Sequence, residues 1–190
     1  MASLGYYANV LKYKLAVASA RKTDNPLRLA HAVRHLGDAH RHTGQTVRAE
    51  ACYVEALSIY RSREDTPPLD LANAIRGFAI LKDETGAVEE AQGLWQEAHA
   101  LYVQVSEAPG ITDSWRRGVL GGVAGSAAQL ALLAWRQGDL QRSSEWLNKA
   151  NAAGADAGDA ETLQHLSEVR TRIETALYEW RGRPARENHA

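Results

Sequence analysis

Four histidines, two arginines and an aspartate lie within the twelve residues His31 to His42, HAVRHLGDAHRH. His31 and His35 have the i, i+4 spacing by which two imidazoles on one helix face share a metal ion, and His35 with Asp38 or Asp38 with His42 are further pairs. One straight helix cannot wrap all of these around a single ion, and Arg34 would repel a cation. A metal is therefore the weaker reading, and no metal or cofactor is assigned. The alternatives are a solvated polar face and a face that contacts a ligand. Catalytic chemistry has less support, because the single thiol, Cys52, adjoins Tyr53 in a segment patterned for packing, where cysteine behaves as a small inert hydrophobe. The glycines of RRGVLGGVAGS, Gly118, Gly121, Gly122 and Gly125, have neither a preceding strand nor a following Gly-Lys-Ser/Thr, so they do not read as a phosphate loop. In a helix interior each costs roughly 1 kcal/mol relative to alanine. Either the helix breaks or hinges over 118–125, or close packing compensates. No catalytic residue is assigned, and the chain does not read as an enzyme.

The elements that position these residues belong to an ordinary soluble chain of 190 residues with a net charge of -1. That near-neutral balance gives no global pull toward nucleic acid or an anionic membrane, and the short basic stretches RRG and RGRPAR add little. One cysteine excludes an intramolecular disulfide and a cysteine-rich zinc module. With no basic, then apolar, leader and no run of eighteen apolar residues, neither export nor membrane spanning is expected, and the cytoplasm is the default location.

Sliding the chain by 42 residues lays 26–60 over 68–102. Twelve of 35 pairs are then identical: Pro26/Pro68, Leu27/Leu69, Leu29/Leu71, Ala30/Ala72, Ala32/Ala74, Arg34/Arg76, Thr43/Thr85, Gly44/Gly86, Ala49/Ala91, Glu55/Glu97, Ala56/Ala98 and Tyr60/Tyr102. A weaker third copy follows at an offset of 52, with Leu130, Ala131, Gly138, Ser143, Leu147 and Ala150 where Phe78, Ala79, Gly86, Ala91, Trp95 and Ala98 stood. Each copy reads as two helices. A proline leads into the first in two of the copies, a glycine tolerates a left-handed turn at its end, and an apolar-periodic second helix follows. Small residues such as Ala49 and Ala56 let the helices approach, and Tyr53, Trp95 or Leu147 fills the space against the neighbour.

These copies resemble tetratricopeptide (TPR) repeats. The motif reads as Leu36-Gly37, Gly44, Ala49, Tyr53 and Ala56, then as Phe78-Ala79, Gly86, Ala91, Trp95 and Ala98. The 42-residue spacing resembles the kinesin light chain type. Late in the first helix, where the family usually carries tyrosine, this chain has His40, Lys82 and Ala134. The resemblance implies an all-α, right-handed α-solenoid of helix-turn-helix repeats forming a single domain over 1–182. Its parts are a flanking helix at 4–20, repeats at 26–60 and 68–102, a degenerate repeat at 113–153, and a capping helix at 160–181. The tail 183–190 is expected to be disordered.

On a helical wheel His31, Arg34, His35, Asp38, Arg41 and His42 share one face of about 120°, whereas His40 points to the packed side with Leu29, Val33 and Leu36. The resemblance implies that this face lines a concave groove that binds peptides. Equivalent positions are Asn73, Arg76, Gly77, Ile80, Asp83 and Glu84 in the second copy, and Gly125, Ala128, Gln129, Leu132, Trp135 and Arg136 in the third. Arg34 and Arg76 offer planar donor forks for carboxylates. Ile80, Leu132 and Trp135 offer apolar surface, and Gly77 and Gly125 leave room for a ligand backbone. The competing reading is that Arg34 and Arg76 pair with Asp38, Asp83 or Glu84. The expected function is a non-catalytic adaptor or scaffold binding a protein or peptide, with acidic residues beside an apolar anchor. The alternative is a ligand- or peptide-sensing regulatory module acting on a separate effector. Neither nucleic acid nor membrane is an expected partner. A homo-oligomer is compatible with Trp115, Trp146 and Trp180, which cannot all be assumed buried.

Overall fold

The computed structural model describes residues 4–181, so the expectation for the tail 183–190 lies outside the described residues. The described residues form eight helices in order: α1 (Leu4–Ala20), α2 (Pro26–His42), α3 (Thr46–Arg61), α4 (Pro68–Glu84), α5 (Val88–Ser106), α6 (Asp113–Arg136), α7 (Leu140–Ala157) and α8 (Ala160–Arg181). Among the described residues there is no strand. The chain divides into two compact units, one up to Pro109 and one from Gly110 onward.

Local chemistry sets the helix ends. Pro26 and Pro68 open α2 and α4, where their missing N–H costs nothing and their fixed φ suits the first turn. Asn25 Oδ1 caps α2 by accepting from the Arg28 N–H at 2.9 Å, and Asp139 does the same for Arg142 ahead of α7 at 3.0 Å. The turns inside the three helix pairs pass through Gly44, Gly86 and Gly138 at φ of 74°, 79° and 80°. A side chain there would face the left-handed penalty, which explains why the repeat retains glycine at these points.

In the first unit α2 pairs with α3 and α4 with α5, α1 packs on α2, and α3 and α2 both touch α4. The core takes one buried stripe from each helix: Ala30 and Val33 from α2, Ala49, Tyr53 and Ala56 from α3, Ala72, Ile75 and Ala79 from α4, and Ala91, Trp95 and Ala98 from α5. The alanines allow close approach, while Tyr53 between Ala49 and Ala56 and Trp95 between Ala91 and Ala98 fill the interlayer space. In the second unit α6 packs on α7 and α8 through Val119, Val123, Leu130 and Leu133, with Leu166, Val169 and Ile173 from α8 also buried. Ser143, which replaces the alanine of the other copies, satisfies its buried hydroxyl by donating to the Ala131 carbonyl at 2.9 Å. Leu147, the counterpart of Tyr53 and Trp95, is only half-buried.

Helix α6 runs unbroken through the glycine-rich segment. Of those glycines, Gly121 meets the Thr162 hydroxyl, with an added Cβ falling 3.2 Å away, whereas Gly118 and Gly125 face open space. By length and composition alone α6 is apolar enough to cross a membrane, but its apolar side chains are mostly buried within the protein. Trp115, near its start, is 55% exposed.

His40 occupies the position where tyrosine is usual in TPR repeats. It is 3% exposed, and its Nδ1 is buried without a hydrogen-bond partner. Burial, with the Lys14 and Arg48 charges, holds its pKa below the ordinary value against an opposing contribution from Gln45. As pH falls through about 6.5, the unfolded chain therefore takes up this proton first. Stability that depends on the neutral imidazole is complete above that value and declines as pH drops toward the folded pKa. His40→Phe should flatten the dependence of the urea midpoint on pH between about 7 and 5. An unchanged slope in the variant would assign that dependence to another group.

Candidate functional site

The polar face of α2 is a connected network rather than a set of independent side chains. Arg34 Nη1 donates to Asp38 Oδ2 at 3.2 Å, its Nη2 lies 2.6 Å from His35 Nε2, and His35 Nδ1 lies 3.5 Å from the same carboxylate. The other oxygen, Asp38 Oδ1, accepts from the Tyr53 hydroxyl of α3 at 2.7 Å. Burial alone would raise the Asp38 pKa, but hydrogen bonds from His35 and Tyr53 and the Arg34 charge bring it below the ordinary value. The tyrosine is pushed the opposite way, upward, by burial and by the adjacent carboxylate. One turn on, Arg41 Nη1 donates to Glu84 of α4 at 2.7 Å, tying two adjacent repeats together.

Aromatic rings of α1 complete this face. Tyr13 stacks on His35 at 5.1 Å and Tyr6 on His42 at 5.1 Å, while His31 meets His35 edge-on at 4.5 Å. The sequence reading did not include these tyrosines, although their seven-residue separation puts them on one helical face, a signal that was available. It also gave no site role to Tyr102, whose hydroxyl donates to Asn73 Oδ1 at 2.7 Å.

The predicted residues thus fall into distinct settings. His31, His35, Arg34, Asp38, Arg41 and His42 share the α2 face, but Arg34 and Arg41 are committed to carboxylates. Arg76 on α4 is exposed and makes no ion pair or hydrogen bond among the described residues. Ile80 and Asp83 on the same helix are half-buried, and Asn73 is held by Tyr102. In the second unit Gln129 and Trp135 are half-buried.

Two expectations need correction. Leu132 is 4% exposed and belongs to the core, so it offers no open apolar surface. Gly77 does not leave room for a ligand, because an added Cβ would lie 2.8 Å from Tyr53 Cε1 and 3.2 Å from Asp38 Oδ1. The space above it is occupied by the tyrosine ring. Gly125, in contrast, does face open space.

Among the described residues no three histidine, cysteine, aspartate or glutamate side chains converge to hold a metal ion. Cys52 is half-buried, and burial together with Glu55 pushes its thiol up to about 11, against a smaller opposing effect of Arg21, so the thiolate needed by a nucleophile is disfavoured.

Paired helices, left-handed glycine turns and alanine-flanked aromatics define a TPR-like helical-repeat fold. Two solved structures with TM-scores of 0.60 agree with this architecture. A Podosopora anserina protein described as a kinesin light chain with nearly identical TPR-like repeats superposes with a TM-score of 0.60 at 18% identity, over 90% of this chain and 88% of that one. A single-substitution variant of the same protein does so with a TM-score of 0.60 at 16% identity, over 93% and 88%. BtubC (BKLC) from P. vanneervenii aligns over 99% of this chain and 98% of its own, at 16% identity and a TM-score of 0.46. No family profile and no curated protein sequence matches the chain. TPR-like repeat folds generally mediate protein–protein interaction and are typically non-catalytic.

Proposed function

We propose that the protein is a non-catalytic interaction module whose first unit binds a peptide or protein segment on the face shared by α2 and α4. The observation that carries this reading is the contrast among the basic groups there. Arg34 and Arg41 are neutralised by Asp38 and Glu84, whereas Arg76 is exposed and unpaired, one helical turn from Ile80. A guanidinium left free beside an apolar side chain suits an acidic residue or a terminal carboxylate next to an apolar anchor. The function is that of an adaptor, with the ion-paired α2 network as the rigid wall against which the segment lies.

Arg76→Glu is the discriminating variant, because Arg76 makes no ion pair or hydrogen bond among the described residues and acts on the protein only through its charge near Tyr102. Against an array of peptides with free or amidated C-termini and varied acidic content, the wild type should select acidic, apolar-anchored members. Arg76→Glu should weaken those by about tenfold or more while leaving the helical circular dichroism unchanged. Identical selection and affinity in the two proteins would remove this face from the binding site.

A further inference from the structure

Between α1 and α2 lies an open cavity of about 320 Å³, at the small end of the roughly 300–1,000 Å³ typical of ligand pockets. Its lining is of two kinds. Ala20 and Ala32, both buried, supply an apolar base, and the rings of Tyr13, His31 and His35 stand around it. Arg28, exposed in the first turn of α2, contributes a guanidinium, and no carboxylate lines the cavity. The rings are already ordered, with Tyr13 stacked on His35 at an interplanar angle of 11° and His31 edge-on to it at 72°. A preformed aromatic wall beside an unneutralised cation favours a flat apolar body that carries one negative group.

We propose that this cavity binds a small aromatic carboxylate. The ring of the ligand packs on the alanine base and the tyrosine–histidine wall, and its carboxylate pairs with Arg28 and His31. The surrounding charges agree with this polarity. His31 has its pKa lowered by burial, by His35 and by Arg34 on α2, with only Asp70 of α4 opposing. On α1 Lys12 Nζ sits 5.2 Å from the Tyr13 ring centroid. Asp38 is turned to Arg34, His35 and Tyr53. An anion entering this field gains favourable interactions, and by linkage it raises the His31 pKa and binds more tightly as pH falls through the His31 titration. The site stands independently of the peptide reading, since Arg76 does not line it.

Phenylacetate is the probe, with ring signals of the histidines followed by NMR and affinity by calorimetry. Saturable shifts of His31 and His35, an upward move of the His31 titration, at least a fivefold loss of affinity in Arg28→Gln, and unchanged affinity in Arg76→Glu are expected. Acetyl-Gly-Gly-Phe with a free carboxylate distinguishes the source: tighter binding than phenylacetate assigns the cavity to a chain terminus, and equal or weaker binding to a free small acid. Absence of saturable shifts, equal binding of neutral phenylacetamide, or full affinity in Arg28→Gln would overturn the proposal. Acetate binding as tightly as phenylacetate would also overturn it, since the ring would then contribute nothing.

Discussion

Tyr53→Ala should destabilise the protein by about 4 kcal/mol, within the range for emptying a buried aromatic site. The ring is fully buried, lies between Gly37 and Gly77, and stacks on Phe78 at 5.8 Å. Neither glycine has a side chain that could move into the cavity left behind. The truncation also strips Asp38 of its Tyr53 donor while Arg34 still holds the other carboxylate oxygen. Tyr53→Phe separates the two contributions: it keeps the ring and loses the hydroxyl's hydrogen bond to the Asp38 carboxylate and its interaction with Arg41, so about 2 kcal/mol is expected. Urea unfolding followed by circular dichroism reads both. A loss below about 1 kcal/mol for the alanine variant would mean that the surrounding helices collapse onto the site and that the ring is not what spaces them.

Gly77→Val should cost about 2 to 3 kcal/mol, because it drives a branched side chain into the Tyr53 ring and the Asp38 carboxylate. Valine is otherwise an acceptable helix residue, and it is intrinsically no worse there than glycine. The cost therefore comes from the neighbour, which makes a double-mutant comparison decisive. In the Tyr53→Ala background the same substitution fills part of the cavity, and its cost should shrink or change sign, giving a coupling of about 1 to 3 kcal/mol. Additive losses would show that valine at 77 disrupts something other than the packing of Tyr53.

The two results bear on the proposed function through Asp38. The carboxylate is shared by Arg34, His35 and Tyr53, so the α2 face is held by a group anchored in the core. Substitutions at Arg34 consequently report on folding as well as on binding. Arg34→Glu would set a second carboxylate beside Asp38, whereas Arg76→Glu breaks no ion pair and changes only the charge near the Tyr102 hydroxyl.

The repeat itself was legible in the amino-acid sequence. Helix pairing, the glycine turns at Gly44, Gly86 and Gly138 and the alanine-flanked aromatics all follow from spacing and from backbone sterics, which are local properties. The grouping of His31, Arg34, His35, Asp38, Arg41 and His42 on one face was legible for the same reason, and so was the burial of His40. What the tertiary structure alone decided is what the other helices bring to these groups, as Glu84 of α4 is brought to Arg41. The different pairing of Arg34 and Arg76, by contrast, is local: Arg34 has Asp38 four residues on, where Arg76 has Ile80, so only the first is neutralised. Gly77 reads as open space until the ring of Tyr53, 24 positions earlier in the chain, is seen to fill it. Leu132 reads as groove surface until the packing of α6 buries it. The cavity beside His31 and His35 needed Tyr13, which a different helix supplies. Periodicity and i, i+4 pairs are encoded within a helix, but exposure, cavity shape and pairs across helices depend on contacts that one helix's spacing does not specify.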